Sequence, residues 1–324
     1  MNPAGEVLDR VSVRYPRNPF YTVNYVQSVR ETGADTILFT SQSEDKNIEY
    51  CLGHIFHGRL ANSMVIDSLT EISHDEAFWR TIDRFIGRQR IYYAYFGSYA
   101  SPGGIRIAKI DKTLEEAKRT EYVIGLQTND LWQQVSKHHK RQIKKARRAG
   151  VTIEHSRKVT DMAETMQNPE DNQALCRMHK MLIDTSMERR KEANKSYVND
   201  VDNSLCLPFL ENGAGTISRA VLEGEVIASS LILESKEGGY YHSSGNSETA
   251  AKTGASHLLI FTVMEDLKNH GQKVFNLGGG NNEMEGLDRF KMGFGASQVS
   301  LTSAEVRRVP AAMRVVSKLA AWIR

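Results

Sequence analysis

Leu277-Gly-Gly-Gly-Asn-Asn-Glu-Met-Glu-Gly-Leu-Asp-Arg-Phe-Lys-Met-Gly-Phe-Gly295 decides how this chain is read. An apolar strand, Lys273-Val-Phe-Asn-Leu277, leads into it, and an amphipathic helix precedes that strand. Three glycines at the end of a strand let backbone approach a ligand without side-chain interference. The Arg-Phe-Lys-x-Gly-Phe-Gly segment then sets Lys291 among glycines and aromatics, close in sequence to that opening. A cation so placed suits a site where negative charge develops.

Working outward from this stretch, Ile260, Val263, Met264 and Leu267 recur at i, i+3, i+4 and i+7, which predicts the helix that Gly271 ends. Upstream, residues 239–245 read as a strand, and 215–222 and 226–234 as two more hinged at Glu223-Gly224. Two helices come before them. One runs over about 129–149, closed by Gly150; the other runs over about 169–192, with Leu175, Met178 and Leu182 on one stripe. The first third reads as strands at 36–40, 48–56 and 63–66, a helix at 77–86 and an aromatic strand at 91–96, followed by the turn signal Ser101-Pro-Gly-Gly104. The expected fold class is therefore mixed α/β, in two tandem units of related build: 1–119, and 120–308 with the transfer site. A basic amphipathic helix over 309–324 follows, read either as docking on its own domain or as peripheral membrane contact.

Composition agrees with this and narrows it. The 324 residues suit about two domains of ~150 residues each. The net charge of +3 says little by itself. Cys51, Cys176 and Cys206 are few and scattered, a pattern that suits a reducing compartment better than a disulfide framework. The first residues lack the apolar core of a signal peptide, and no apolar run nears the ~20 residues that span a bilayer. The expectation is a soluble, cytoplasmic protein. No metal site is read: His54 and His57 have neither carboxylate nor thiolate nearby in sequence. No Gly-x-Ser-x-Gly elbow occurs, no Gly-Lys-Ser/Thr follows the glycine triplet, and no long helix opens directly behind it.

Tyr240-Tyr241, Gly254-Ala-Ser-His-Leu-Leu259, Gly278 to Gly280 and Phe290-Lys291-x-Gly293-Phe294, in this order and spacing, resemble the C-terminal half of the Fem-type (FemABX) aminoacyltransferases and their relatives in the GNAT acyltransferase superfamily. The basic segment 137–148 and Ser186-Met-Glu-Arg189 resemble further parts of that family. The resemblance covers roughly residues 120–300; the first 120 match in element order only. It implies two GNAT-like folds in one chain. It also implies transfer of an acyl group from acyl-coenzyme A, or an aminoacyl group from charged tRNA, to the amine of a peptidoglycan or polysaccharide precursor, a sugar or a small metabolite. No tightly bound cofactor and no DNA partner are expected.

Transfer to an amine passes through a tetrahedral oxyanion, and Lys291, which matches the family's lysine after phenylalanine, is the candidate to stabilise it. Gly278, Gly279, Gly280, Asn281 and Phe290 are candidates to shape the substrate channel. Tyr241, His242 and Ser243 lie on a strand whose alternate residues face opposite sides, and one of His242 or Ser243 is a candidate to orient the acceptor. Arg189 is a candidate clamp for an acidic acceptor. For the donor, Lys252, Gly254 and Ser256 occupy the segment where GNAT enzymes cradle a pyrophosphate at a helix N-terminus. Their context departs from the family's turn, with Ala251 in place of the leading Arg/Gln and Ser256 in place of the last small residue. Lys140, Arg141, Lys144 and Lys145 belong to a run of seven cations without one carboxylate, which suits a phosphate-bearing partner. The same run supports the rival reading of a non-catalytic tRNA- or RNA-binding protein.

Overall fold

A computed structural model describes residues 3–42, 48–59, 61–99, 105–108, 114–156, 169–193, 203–280 and 285–308. Asn281, the Ser101–Gly104 turn signal and the helix expected over 309–324 lie outside the described residues.

The chain opens with helices α1 (Gly5–Arg14) and α2 (Val23–Glu31), then strands β1 (Asp35–Gln42), β2 (Ile48–Phe56) and β3 (Asn62–Leu69). Helix α3 (Glu76–Arg88) and strands β4 (Ile91–Ser98) and β5 (Leu114–Gly125) follow. Next come α4 (Leu131–Gln134), α5 (Lys137–Arg148), β6 (Thr152–His155), α6 (Pro169–Glu192) and α7 (Cys206–Glu211). Strands β7 (Gly215–Leu222), β8 (Glu225–Glu234) and β9 (Gly238–Asn246) precede α8 (Glu248–Thr253) and α9 (Ala255–Asn269). The chain ends with β10 (Val274–Gly280), α10 (Glu285–Met292) and β11 (Ser297–Arg307).

Two compact units result, and neither is a continuous stretch. One holds Gly33–Arg119 and the described chain from Ser300; the other holds Gly5–Thr32 and Thr120–Val299. The chain passes between them within β5 and returns within β11. A boundary at 119/120 therefore accounts for the middle of the chain only: α1 and α2 belong with the second unit and most of β11 with the first.

In the first unit the strand order is β1-β2-β3-β4-β11. The β1–β2 and β2–β3 pairs are antiparallel, and β3–β4 is parallel across the α3 connection. Helix α3 forms because Asp75 caps it, its carboxylate accepting from Ala77 N at 2.7 Å. Its Phe78, Trp79, Ile82 and Ile86 recur on one buried stripe and join Phe39, Met64, Ile66, Phe96 and Val306 in the core.

In the second unit the order is β5-β10-β9-β8-β7-β6. Strands β6 to β9 form an antiparallel meander. The β7–β8 turn has Glu223 at φ 52° and Gly224 at φ 84°, the left-handed pair a two-residue hairpin requires. Helices α8 and α9 then cross over to β10, which lies parallel to β9. Helix α9 buries Leu258, Leu259, Phe261, Val263, Met264 and Leu267 against Ile124, Ala228, Ile232 and Phe275. The N-terminal helices dock here through Tyr25, stacked on Phe209 with ring centroids 5.5 Å apart, and through Ser28, whose hydroxyl donates to Pro208 O at 3.0 Å.

Three local features differ from the sequence reading. The helix expected over 129–149 is broken at Val135. Ser136 turns out of helical geometry and its hydroxyl caps α5 by accepting from His139 N at 3.3 Å. Strand β6 is an addition. Cys176 and Cys206 form a disulfide, with Cα atoms 5.9 Å apart, where no pairing was expected; Cys51 is free and buried. Among the described residues no helix is long and apolar enough to cross a membrane.

Candidate functional site: the glycine bend of the second unit

The parallel β9–β10 ladder runs Val274↔Gly238, Phe275↔Gly239, Asn276↔Tyr240 and goes no further. On its other side β10 pairs with β5, but the register slips between Asn276 and Gly279, so that Leu277 and Gly278 stand opposite the single residue Tyr122. Gly278 takes φ +72°, which only a residue without Cβ adopts at little cost. The expected bend at the glycines is thus a bulge placed where β10 leaves β9. Gly280 pairs with Thr120 on β5 and is not part of the bulge itself.

Lys291 comes back to this bend from α10. It is 4% exposed, and its Nζ donates to Gly278 O at 3.1 Å and to Gly279 O at 2.6 Å. The ammonium lies 5.4 Å from the centre of the Tyr122 ring. Tyr122 holds α10 as well: Gln298 donates to its hydroxyl at 3.2 Å, and burial together with the neighbouring Asp288 carboxylate pushes its pKa up. On the far side of the bend, Asn276 Nδ2 donates to Glu121 Oε2 at 2.6 Å while its Oδ1 accepts from Gly278 N at 2.8 Å. Glu121 is 1% exposed. The sequence reading missed Glu121, Tyr122 and Asn276. The available signal was Asn276 itself, a polar residue inside an otherwise apolar strand.

Strand β9 carries a second bulge. Leu231 pairs with Ser243 and Ile232 with Tyr241, leaving His242 as the extra, exposed residue. Tyr241 packs against the second unit's core, and burial pushes its hydroxyl up to about 12. Ser243 accepts or donates at 2.8 Å with His179 Nε2, whose Nδ1 meets Ser229 Oγ at 2.8 Å. His179 is fully buried, and desolvation lowers its pKa to about 4.

The remaining candidates form a line along the start of α9. Arg189 does not stand free as a clamp: its Nη2 donates to Asn246 O at 2.9 Å and also to the Asn246 side-chain oxygen. Asn246 Nδ2 donates in turn to Ser256 Oγ at 3.3 Å. Gly254, at φ +82°, separates α8 from α9 and comes so close to Gln142 O that a Cβ would meet it at 2.8 Å. Lys252 pairs with Glu248 at 2.7 Å, and Lys145 donates to Lys252 O at 2.5 Å. Lys145 therefore ties α5 to α8, while the Lys252 ammonium is paired within α8.

On α5 the buried face is His139, Ile143 and Ala146. Lys140, Lys144 and Arg147 gather round the Trp132 ring at 5.7, 6.0 and 6.0 Å, and Arg141 Nη2 donates to His138 Nδ1 at 3.3 Å. Phe290 packs edge-on to His257, Phe294 and, at a tilt, His139. Its carbonyl accepts from His139 Nε2 at 2.8 Å. Shallow grooves along α6 (Arg177, Lys180, Asp184, Glu188) and beside Trp132 (Asp130, Phe261, Glu265, Lys268) are lined by none of the residues around Lys291.

Residues 133–292 match the family model described as an acetyltransferase (GNAT) domain, a stretch that includes Asn276, Gly278 to Gly280 and Lys291. Solved structures agree over nearly the full length. FemX aligns at a TM-score of 0.65 with 12% identity, covering 95% of this chain and 97% of its own. The C-terminal domain of a putative lysylphosphatidylglycerol synthetase from Agrobacterium fabrum aligns at 0.55 with 14% identity, covering 98% and 96%. A tandem GNAT protein from the clavulanic acid biosynthesis pathway aligns at 0.54 with 10% identity, covering 95% of each chain. At these identities the likeness is one of fold, and it supports two GNAT-like domains in tandem. No curated protein sequence matches the chain.

Proposed function

We propose that this acyltransferase moves an acyl or aminoacyl group from a phosphate-bearing donor, acyl-coenzyme A or aminoacyl-tRNA, to an amine of a cell-envelope precursor, a sugar or a small metabolite. The observation that carries the reading is Lys291, buried, with its ammonium held by the Gly278 and Gly279 carbonyls where β9 and β10 part. A cation fixed before substrate arrives needs no reorganisation when charge develops, which is the condition for strong electrostatic catalysis. In the proposed step the acceptor nitrogen attacks the donor carbonyl carbon and its proton is lost. The oxyanion forms beside Lys291. The carbon–sulfur or carbon–oxygen bond to the donor then breaks, and the leaving thiol or hydroxyl takes up a proton.

The aminoacyl form of the reaction is favoured by α5. Lys137, Arg141, Lys144, Lys145, Arg147 and Arg148 are all exposed, and among the described residues no α5 cation is in a salt bridge. A row of exposed cations, in which Arg147 has Glu265 nearby, suits a polyanion longer than one pyrophosphate. The Fem resemblance, and a neighbour named for lysylphosphatidylglycerol, point the same way. The test is incubation with labelled aminoacyl-tRNA and, separately, labelled acetyl-coenzyme A, with a pool of envelope precursors and small amines as acceptors. Transfer from charged tRNA supports the aminoacyl form, and transfer from the thioester alone replaces it with the acetyl form. Binding of tRNA with no transfer from either donor refutes the catalytic reading and leaves the RNA-binding one.

A further inference from the structure

Three imidazoles that the transfer reaction does not use meet beside the site. His138 and His139 lie in the first turn of α5, and His257 lies in the first turn of α9. One ring nitrogen from each falls within 4.8 Å of the others. The rings of His139 and His257 are 4.6 Å apart, edge to face.

Hydrogen bonding makes this more than a cluster of rings. His139 Nε2 donates to Phe290 O, so in the neutral ring its Nδ1 carries the lone pair. That Nδ1 is buried without a partner, and so is His257 Nδ1. Two orphaned ring nitrogens on adjacent rings need an explanation, because buried polar atoms are almost always satisfied. A histidine whose other nitrogen donates to a backbone carbonyl is the usual arrangement of a metal ligand, since that bond sets tautomer and ring orientation. The third ring, His138, is exposed and brings the site to the surface.

We propose that His138, His139 and His257 form a binding site for a first-row transition metal ion of the zinc class, open at one position. Three neutral imidazoles suit Zn²⁺, Co²⁺, Ni²⁺ and Cu²⁺ and are poor ligands for Ca²⁺ or Mg²⁺. Around one Zn²⁺ at ~2.0–2.1 Å the ligand nitrogens stand about 3.3 Å apart, so the widest spacing must close by roughly 1.5 Å. The exposed His138 side chain is the ligand best able to rotate toward the ion. Arg141, which donates to His138 Nδ1, leaves its Nε2 for the ion. The bound ion would join α5 and α9 directly, and through Phe290 O would hold the last turn of α10. The proposal concerns binding and stands whether or not Lys291 acts in catalysis.

The test uses untagged, full-length protein stripped with a chelator and titrated with Co²⁺. The expected result is a visible ligand-field band of tetrahedral type that saturates at one equivalent and is displaced by Zn²⁺. His138→Ala, an exposed change that leaves the core intact, should weaken Co²⁺ binding by about 10-fold or more, and His257→Ala should do the same. Zn²⁺ should also raise the melting temperature of the wild type and not of His138→Ala. Absence of a saturating band, or a band of equal affinity in His138→Ala, overturns the proposal and reduces the three rings to packing.

Discussion

Lys291→Met tests the site most directly, because methionine keeps the apolar length of the side chain and removes only the ammonium. The structure sets the cost to stability. Gly278 O and Gly279 O each lose a charge-assisted hydrogen bond, worth ~1.5–3 kcal/mol apiece, and the cation beside Tyr122 goes with them. Removing a buried charge also relieves its desolvation penalty, which offsets part of that loss. A net destabilisation of about 1–3 kcal/mol follows, or a fall of a few degrees up to about 10 °C in melting temperature for a unit of this size. With a native stability of ~5–15 kcal/mol, nearly all of the variant stays folded at 25 °C. Loss of an oxyanion partner costs ~10²–10³ in turnover, far more than the folded fraction changes. The assay is single-turnover transfer under saturating donor, corrected for folded protein by circular dichroism. Transfer within about threefold of wild type per folded molecule would refute the catalytic assignment and leave Lys291 as a brace for the glycine bulge.

Protonation gives a second handle. His179 is neutral in the fold, with its pKa lowered to about 4, while the unfolded ring titrates near ~6.5. The unfolded chain therefore binds the proton first, and stability is complete above about pH 6.5 and lost as pH falls toward 4. Urea midpoints measured from pH 7 to pH 4.5 should fall, and His179→Gln should flatten that slope; an unchanged slope contradicts the assignment. Gly293→Ala places a methyl group inside the His139 ring and should cost ~1–3 kcal/mol, read as a lower melting temperature. Arg189→Ala frees Asn246 beside the start of α9 and should raise the donor KM more than it lowers kcat; an equal fall in kcat would make Arg189 part of the chemistry. Lys144→Ala should weaken tRNA binding and reduce the salt slope by about one if that residue meets a phosphate, and leave both unchanged if it does not.

Much of the second unit is legible in the chain because the signals are local. The 3.6-residue period of α9, the Glu223-Gly224 hairpin and the glycines after an apolar strand each arise from neighbours in sequence. The same holds for α3, announced by the acidic cap before its apolar stripe. Where the reading failed, the cause lay far away along the chain. Val135 breaks a helix that its own periodicity would continue, since Ser136 N must reach Gly293 O, 157 residues on, at 2.9 Å. His242 bulges out of β9, a matter of β8 register that β9's alternation does not reveal. Arg189, a candidate clamp in the sequence, is tied to Asn246, 57 residues away.

By itself the sequence determined the types of the principal elements, the mixed α/β class and the closeness of Lys291 to the glycine triplet. All of these follow from backbone preference and short-range patterning. Only the tertiary structure decided that α1 and α2 join the second unit, that Glu121 and Asn276 brace the bend from behind, and that His257 meets His138 and His139 more than 100 residues away. The physical reason is that such pairings depend on which buried faces and unpaired polar groups satisfy one another once the chain is compact. No local propensity encodes that.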